Sequence, residues 1–167
     1  MQDVFHRFVE QLADSAGTTD LRNALAAAAS SLDLPSFAYL FPSPGLGGKT
    51  ELISTYPQPW TSHYLHRRYE KVDPVIHQAR RRQETFSWDA VGADFELSTL
   101  QRPLMDEATQ FGIRCGFTIP IHDRGGLFAA LTFAYPSGED RRRAYPAAMS
   151  TAVLGSSFRW GDAMIFF

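Results

Sequence analysis

The stretch from Gly116 to Ala134 reads Gly-Phe-Thr-Ile-Pro-Ile-His-Asp-Arg-Gly-Gly-Leu-Phe-Ala-Ala-Leu-Thr-Phe-Ala. Two apolar runs, Gly116 to Ile121 and Leu127 to Ala134, flank a turn at Asp123-Arg124-Gly125-Gly126. Apolar strands joined through a glycine-bearing turn are the strongest short-range hairpin signal a chain carries. Side chains alternate across a strand, so Phe128, Ala130, Thr132 and Ala134 should share one face. Just upstream, Ser98 and Gln101 form a capping box for a helix carrying Leu104, Ala108 and Phe111, ended by Gly112. Pro103 falls early in that helix and is expected to delay its start.

Working further outward, Thr85-Phe86-Ser87-Trp88 reads as a short extended piece. Asp73-Pro74 opens a helix with Val75, Ile76 and Ala79 on one side and Arg80, Arg81 and Arg82 at its end. Cations there complement the helix dipole, so the triplet requires no ligand. A short amphipathic helix after Pro59 carries Trp60, Tyr64 and Tyr69. Phe37 to Phe41 reads as a strand, with Glu51 to Tyr56 as its hairpin partner across a loop rich in proline and glycine. Phe5, Phe8, Val9 and Leu12 mark a first helix, and a second opens near Thr19 or Asp20 and runs to Leu32. A last helix is expected from about Pro146 to Phe158. Strands joined in hairpins, rather than alternating singly with helices, argue for an antiparallel sheet. The expected fold is α/β, an α/β/α sandwich with a central antiparallel sheet, the layered architecture of GAF- and PAS-like sensor domains.

Composition narrows the function classes. The 167 residues are 44% hydrophobic and 20% charged, an ordinary balance for one globular domain. A net charge of -2 provides no chain-wide positive field for nucleic acid. One cysteine, Cys115, leaves neither an internal disulfide nor a cysteine-rich zinc site. No apolar run approaches the roughly 18 residues of a spanning helix. Charged residues interrupt the first fifteen positions, where a signal peptide would need an apolar core. The expectation is a cytoplasmic domain without a membrane partner.

Aromatic residues reach 13%, and they concentrate between Tyr56 and Trp88. Trp60 and Tyr64 stand one helical turn apart, so an indole N–H and a phenol O–H can point into one apolar cavity. Asp73 nearby supplies an acceptor. Such a set suits a neutral ligand with a long apolar part and one or two amide or carbonyl groups. Asp73 before Pro74 also reads as an ordinary N-cap, and the two roles are compatible because a cap needs one carboxylate oxygen.

Trp60-x3-Tyr64-x8-Asp73-Pro74, then Trp88, then Gly112-Ile113-Arg114-x-Gly116, resembles the ligand-binding domain of LuxR-type acyl-homoserine-lactone receptors, most closely the TraR-like branch. The resemblance runs from about Phe37 to Thr132. It implies an N-acyl-homoserine lactone as ligand, no cofactor and no catalytic or metal residue. By the same resemblance Trp60 donates to the lactone carbonyl, Asp73 accepts the amide N–H and Tyr56 donates to the amide carbonyl. Thr132 stands where the family meets a 3-oxo group, and Gly116 leaves room where a backbone nears the pocket. Tyr64, Leu65, Val75, Ile76 and Trp88 are expected to line ring and chain, with Leu40 and Met105 also in the site. Ala130 and Ala134 on the Thr132 face, with Leu104 and Met105 where relatives often carry bulkier aromatics, suggest room for a medium or long acyl chain.

Full-length receptors of this family carry a helix-turn-helix domain that binds DNA. The expected organisation here is an autoinducer-binding domain over residues 1–160, an apolar tail over 161–167, no helix-turn-helix and no direct nucleic-acid binding. Expected partners are a second copy of the chain or a full-length LuxR-type receptor, paired through a stripe at Ala148, Ala152 and Gly155. One alternative is a truncated paralogue that inhibits an intact receptor by heterodimerising with it. Others are a GAF- or PAS-like sensor for another ligand, and a hydrolase of the same lactone. For the enzyme, Cys115 and His122 would lie at opposite ends of one strand, over about 20 Å apart.

Overall fold

The computed structural model describes residues 17–31, 33–42, 48–90, 96–122 and 125–136. Helix α1 (Thr18–Ser31) has Asp20 in its first turn and buries Leu21, Ala24, Leu25 and Ala29, a stripe at helical spacing. Asp33 then takes a left-handed conformation, and the Leu34 N–H returns to the Ala29 carbonyl, closing the helix end. The chain enters β1 (Ser36–Phe41) and later β2 (Glu51–Ser54). Helix α2 (Gln58–His66), a 3-10 turn (Tyr69–Lys71) and helix α3 (Pro74–Arg81) follow. Strand β3 (Phe86–Asp89), helix α4 (Gln101–Gln110), β4 (Cys115–His122) and β5 (Phe128–Tyr135) complete the described elements.

The five strands form one antiparallel sheet in the order β2-β1-β5-β4-β3. The expected hairpin is present: β4 and β5 pair along their whole length, from Cys115 opposite Tyr135 to His122 opposite Phe128. Pro120 is tolerated because β3 pairs with β4 only as far as Thr118, so no ladder bond is lost on its outer side. Alternation then divides the sheet into two faces. Phe37, Tyr39, Phe117, Ile121, Leu131 and Phe133 pack under α1. Leu40, Trp88, Phe128, Ala130 and Ala134 face α2, α3 and α4. This is the α/β/α sandwich, with the site on the second face.

Several local expectations are corrected. Tyr69 does not continue the helix of Trp60 and Tyr64: α2 ends at His66, Arg68 turns left-handed, and Tyr69 begins the separate 3-10 turn. Pro103 does not delay α4, which starts at Gln101; a proline in the first turn forfeits an N–H that has no helical partner there. The capping box forms, with the Ser98 N–H donating to Gln101 Oε1 and the Gln101 N–H to Ser98 Oγ. Strand β2 stops at Ser54, and Thr55 extends the pairing by accepting the Phe37 N–H on its hydroxyl. The first helix, the last helix, the apolar tail and the Ala148–Gly155 stripe lie outside the described residues.

Candidate functional site

Helices α2, α3 and α4 and one face of the sheet build a cavity. Pro57 and Pro59 set the entry to α2, which places Trp60 and Tyr64 one turn apart with ring centroids 5.9 Å from each other, edge to face. Asp73 caps α3: Oδ1 accepts the Val75 N–H at 2.8 Å and the Ile76 N–H at 3.4 Å. Its other oxygen, Oδ2, accepts the Tyr64 hydroxyl at 2.7 Å. One carboxylate therefore caps a helix and presents its second oxygen to the cavity. Burial holds the Asp73 carboxyl above the ordinary carboxylate value, partly offset by the bonds from Tyr64, Val75 and Ile76.

Tyr56 precedes Pro57 and reaches the same space from the end of β2. Its hydroxyl is buried with no hydrogen-bond partner among the described residues. Burial first, and the neighbouring Asp73 charge second, push the Tyr56 phenol far above its usual value. Tyr64 is raised for the same two reasons and by its bond to Asp73. Both phenols are thus firmly protonated donors at neutral pH.

On the sheet, the Trp88 indole N–H donates to Thr118 Oγ1 at 3.1 Å, and Thr118 Oγ1 lies 2.9 Å from Thr132 Oγ1. An indole only donates, so Thr118 accepts from it, and the two hydroxyls share one hydrogen bond that either can donate. Apolar wall comes from Leu40, Leu52 and Ala38 of the first hairpin, Val75 and Ile76 of α3, and Leu104, Met105 and Ala108 of α4, with Ile113 beyond it. The cavity volume is about 60 Å³, several times the roughly 10–15 Å³ that one buried water needs on this measure.

Of the residues named from the sequence, Tyr56, Trp60, Tyr64, Asp73 and Thr132 supply the polar wall. Leu40, Val75, Ile76, Trp88 and Met105 are also brought to it. Two are not. Leu65 follows Tyr64 by a single residue, hence about 100° around α2, and packs partly buried against the core beside the cavity. Gly116 lies beneath Trp88: a Cβ there would stand 2.0 Å from the Phe133 carbonyl oxygen and 3.0 Å from Trp88 Cζ2. It lets the indole lie close on the sheet rather than lining the space itself. Ala130 and Ala134 share the Thr132 face but are covered by side chains, so the small residues at the wall are Ala38 and Ala108.

Ala38, Leu52, Ala108 and Ile113 escaped the sequence reading. Period two from Leu40 reaches Ala38, and one helical turn from Leu104 reaches Ala108, so both signals were present. Nothing marked Thr118, whose role comes from register: it pairs with Thr132 across the hairpin. Cys115 and His122 occupy opposite ends of β4 and opposite faces, Cys115 under α1 and His122 bonded to the Ala79 carbonyl of α3 and the Arg82 carbonyl just past it. Arg80 and Arg82 lie over the rings of Phe128 and Phe86, while the triplet at Arg141 is outside the described residues. Among the described residues no group of acidic, histidine and cysteine side chains is placed to hold a metal, and no helix is long and apolar enough to cross a membrane.

The sheet thus has one packed face and one face that carries a cavity, the layered fold of GAF-like domains. A family model described as "Autoinducer binding domain" matches residues 17–156, and the chain belongs to that family, the sensor domains of LuxR-type quorum-sensing regulators. It is 34% identical over 104 residues to the transcriptional activator TraR of Rhizobium radiobacter, covering 62% of this chain and 44% of that protein. It is 26% identical over 102 residues to LuxR of Aliivibrio fischeri, covering 59% and 39%. The chain thus spans less than half the length of the curated relatives it matches. Among solved structures, the N-acylhomoserine-lactone-dependent factor CepR2 of Burkholderia cenocepacia superposes with a TM-score of 0.72 at 19% identity, covering 94% of both chains. A GAF domain from Coxiella burnetii gives 0.56 at 11% identity, covering 91% of this chain and 96% of that one, a likeness of fold alone.

Proposed function

We propose that the cavity binds an N-acyl-homoserine lactone and that the chain acts as the sensor part of a LuxR-type transcriptional regulator. The observation that carries this reading is the buried, unpartnered Tyr56 hydroxyl beside Asp73. Leaving such a donor unpaired costs about 1–3 kcal/mol, which a ligand acceptor would remove. A secondary amide supplies both halves: its carbonyl accepts from Tyr56 and its N–H donates to Asp73. The Trp60 indole, also at the wall, then donates to the lactone carbonyl, and Thr132 donates to a 3-oxo oxygen on the acyl chain. Leu40, Val75, Ile76, Trp88 and Met105 contact the ring and chain, while Leu65 and Gly116 act from behind the wall.

The ligand is bound and released unchanged, so the chain is a receptor rather than an enzyme. The domain occupies residues 1–160, works in the cytoplasm and pairs with a second copy or with a full-length LuxR-type receptor. Size-exclusion chromatography with light scattering reports that pairing directly.

The test is soluble, folded yield in a host that makes no acyl-homoserine lactone, supplemented with lactones of graded acyl length, with and without a 3-oxo group. Rescue by medium or long chains, with intact lactone recovered from the purified protein, is expected. A preference for four-carbon chains contradicts the chain-length reading. Because the LuxR-type protein SdiA has been solved with octanoyl-rac-glycerol, the panel includes that ester. Rescue by it and by no lactone contradicts the lactone reading.

A further inference from the structure

Glu107 lies on α4 between wall residues Leu104 and Ala108 but does not itself line the cavity. Its Oε2 accepts the Tyr69 hydroxyl at 2.9 Å and lies 2.8 Å from His63 Nε2. One carboxylate oxygen therefore joins α4, α2 and the 3-10 turn. The network is at the surface, with the His63 and Glu107 side chains 37% and 34% exposed.

What the two bonded rings touch on their inner side is Trp60. The indole is 3% exposed and has four rings around it: Tyr64 at 5.9 Å, His63 and Tyr69 each at 6.2 Å, and Phe111 at 5.5 Å. His63 and Tyr69 also meet each other edge to face at 5.6 Å. Two of the four rings that fix the indole are thus themselves fixed from outside by Glu107. Partial burial raises the Glu107 carboxyl, but the bonds from Tyr69 and His63 and the His63 and Arg67 charges outweigh it, so it lies below the ordinary carboxylate value.

We propose that Glu107 is a positioning residue for Trp60, clamping α2, the 3-10 turn and α4 over the cavity and so governing how fast the bound ligand leaves. The clamp acts through His63 and Tyr69 and touches no ligand atom. Its effect falls on residence time, because the indole can swing away from the ligand only when the ring box opens.

This rests on the lactone reading, and the experiment separates the two. Protein loaded with the best lactone of the panel is chased with an excess of unlabelled lactone, and the dissociation rate is followed for the wild type, E107A, E107Q and H63N. E107A is expected to leave about 3- to 10-fold faster, the effect of one or two partly exposed hydrogen bonds. E107Q, which keeps an acceptor for Tyr69, is expected to fall between. H63N, which removes the bond to Glu107 from the other side, is expected to accelerate dissociation in the same direction, with the association rate unchanged in all three variants. Wild-type retention with unchanged E107A and E107Q dissociation rates overturns the clamp. A wild type that retains no lactone overturns the lactone reading, and the clamp with it.

Discussion

The two faces of the sheet are built from alternate residues of the same strands, yet they are filled in opposite ways. Under α1, Phe117 stacks on Phe133 with centroids 5.0 Å apart, amid Leu21, Leu25, Ile121 and Leu131, all nearly or wholly buried. Under α2, α3 and α4, the core is rich in aromatics with polar handles and holds a cavity that includes a phenol with no partner among the described residues. The first face closes on itself and holds the chain together. The second leaves polar groups to be completed by something else, which is what a sensor requires if its stability is to report on a ligand.

The sharpest way to break this contrast is to damage the closed face. Phe117 is 2% exposed, and Phe117→Ala should cost about 3–5 kcal/mol. The loss, read as a urea midpoint, should be the same with and without ligand. A loss confined to the ligand-free protein would mean the two faces are not independent.

Damage to the hollow face should behave differently. Asp73→Ala removes a cap worth about 1 kcal/mol and strands the Tyr64 hydroxyl, for a total near 2 kcal/mol. It should also abolish ligand-induced stabilisation, as a thermal shift would show. Retained stabilisation would remove Asp73 from the site.

The contrast has a pH signature as well. The Asp73 carboxyl is raised in the folded state, so its contribution is fully present below the ordinary value of 3.8 and lost as pH rises through the raised one. Glu107 is lowered, and its contribution runs the other way, lost as pH falls through its depressed value. Asp73→Asn should therefore flatten the decline of stability on the alkaline side of that window, and Glu107→Gln should flatten the rise on the acid side. Stability curves of the two variants from pH 3 to 7 that match each other would contradict both assignments.

The smallest effect separates the sequence reading from the structure. Leu65 was expected at the ligand and packs beside the cavity instead. Leu65→Ala should change ligand affinity less than about twofold, since apolar contacts count only where they are made, while isothermal titration of Leu104→Ala shows a larger drop.

These cases mark how far the sequence could be read. The Gly116–Ala134 hairpin was legible because strand alternation and turn chemistry are local, and Trp60 and Tyr64 because one helical turn is local too. Tyr69 was misplaced because the left-handed Arg68 breaks the helix with no glycine to announce it. Gly116 was expected to leave room for a close backbone, and it does so against Phe133, whereas Leu65 was assigned to the cavity wall because a motif specifies position in the chain, not which side of a helix meets the space. Thr118 and Glu107 were invisible for a deeper reason. Each acts through partners 14 to 44 residues away, and only strand register or helix packing brings such residues together.

The central claim, that the hollow face is completed by an amide-bearing ligand, is tested most directly at one oxygen. Urea denaturation of wild type and Tyr56→Phe, each with and without the best lactone, isolates it. The account predicts that Tyr56→Phe is as stable as wild type or about 1 kcal/mol more stable without ligand, because a buried unpaired hydroxyl is gone, and that it loses about tenfold in lactone affinity. Lower stability without ligand together with unchanged affinity would contradict it.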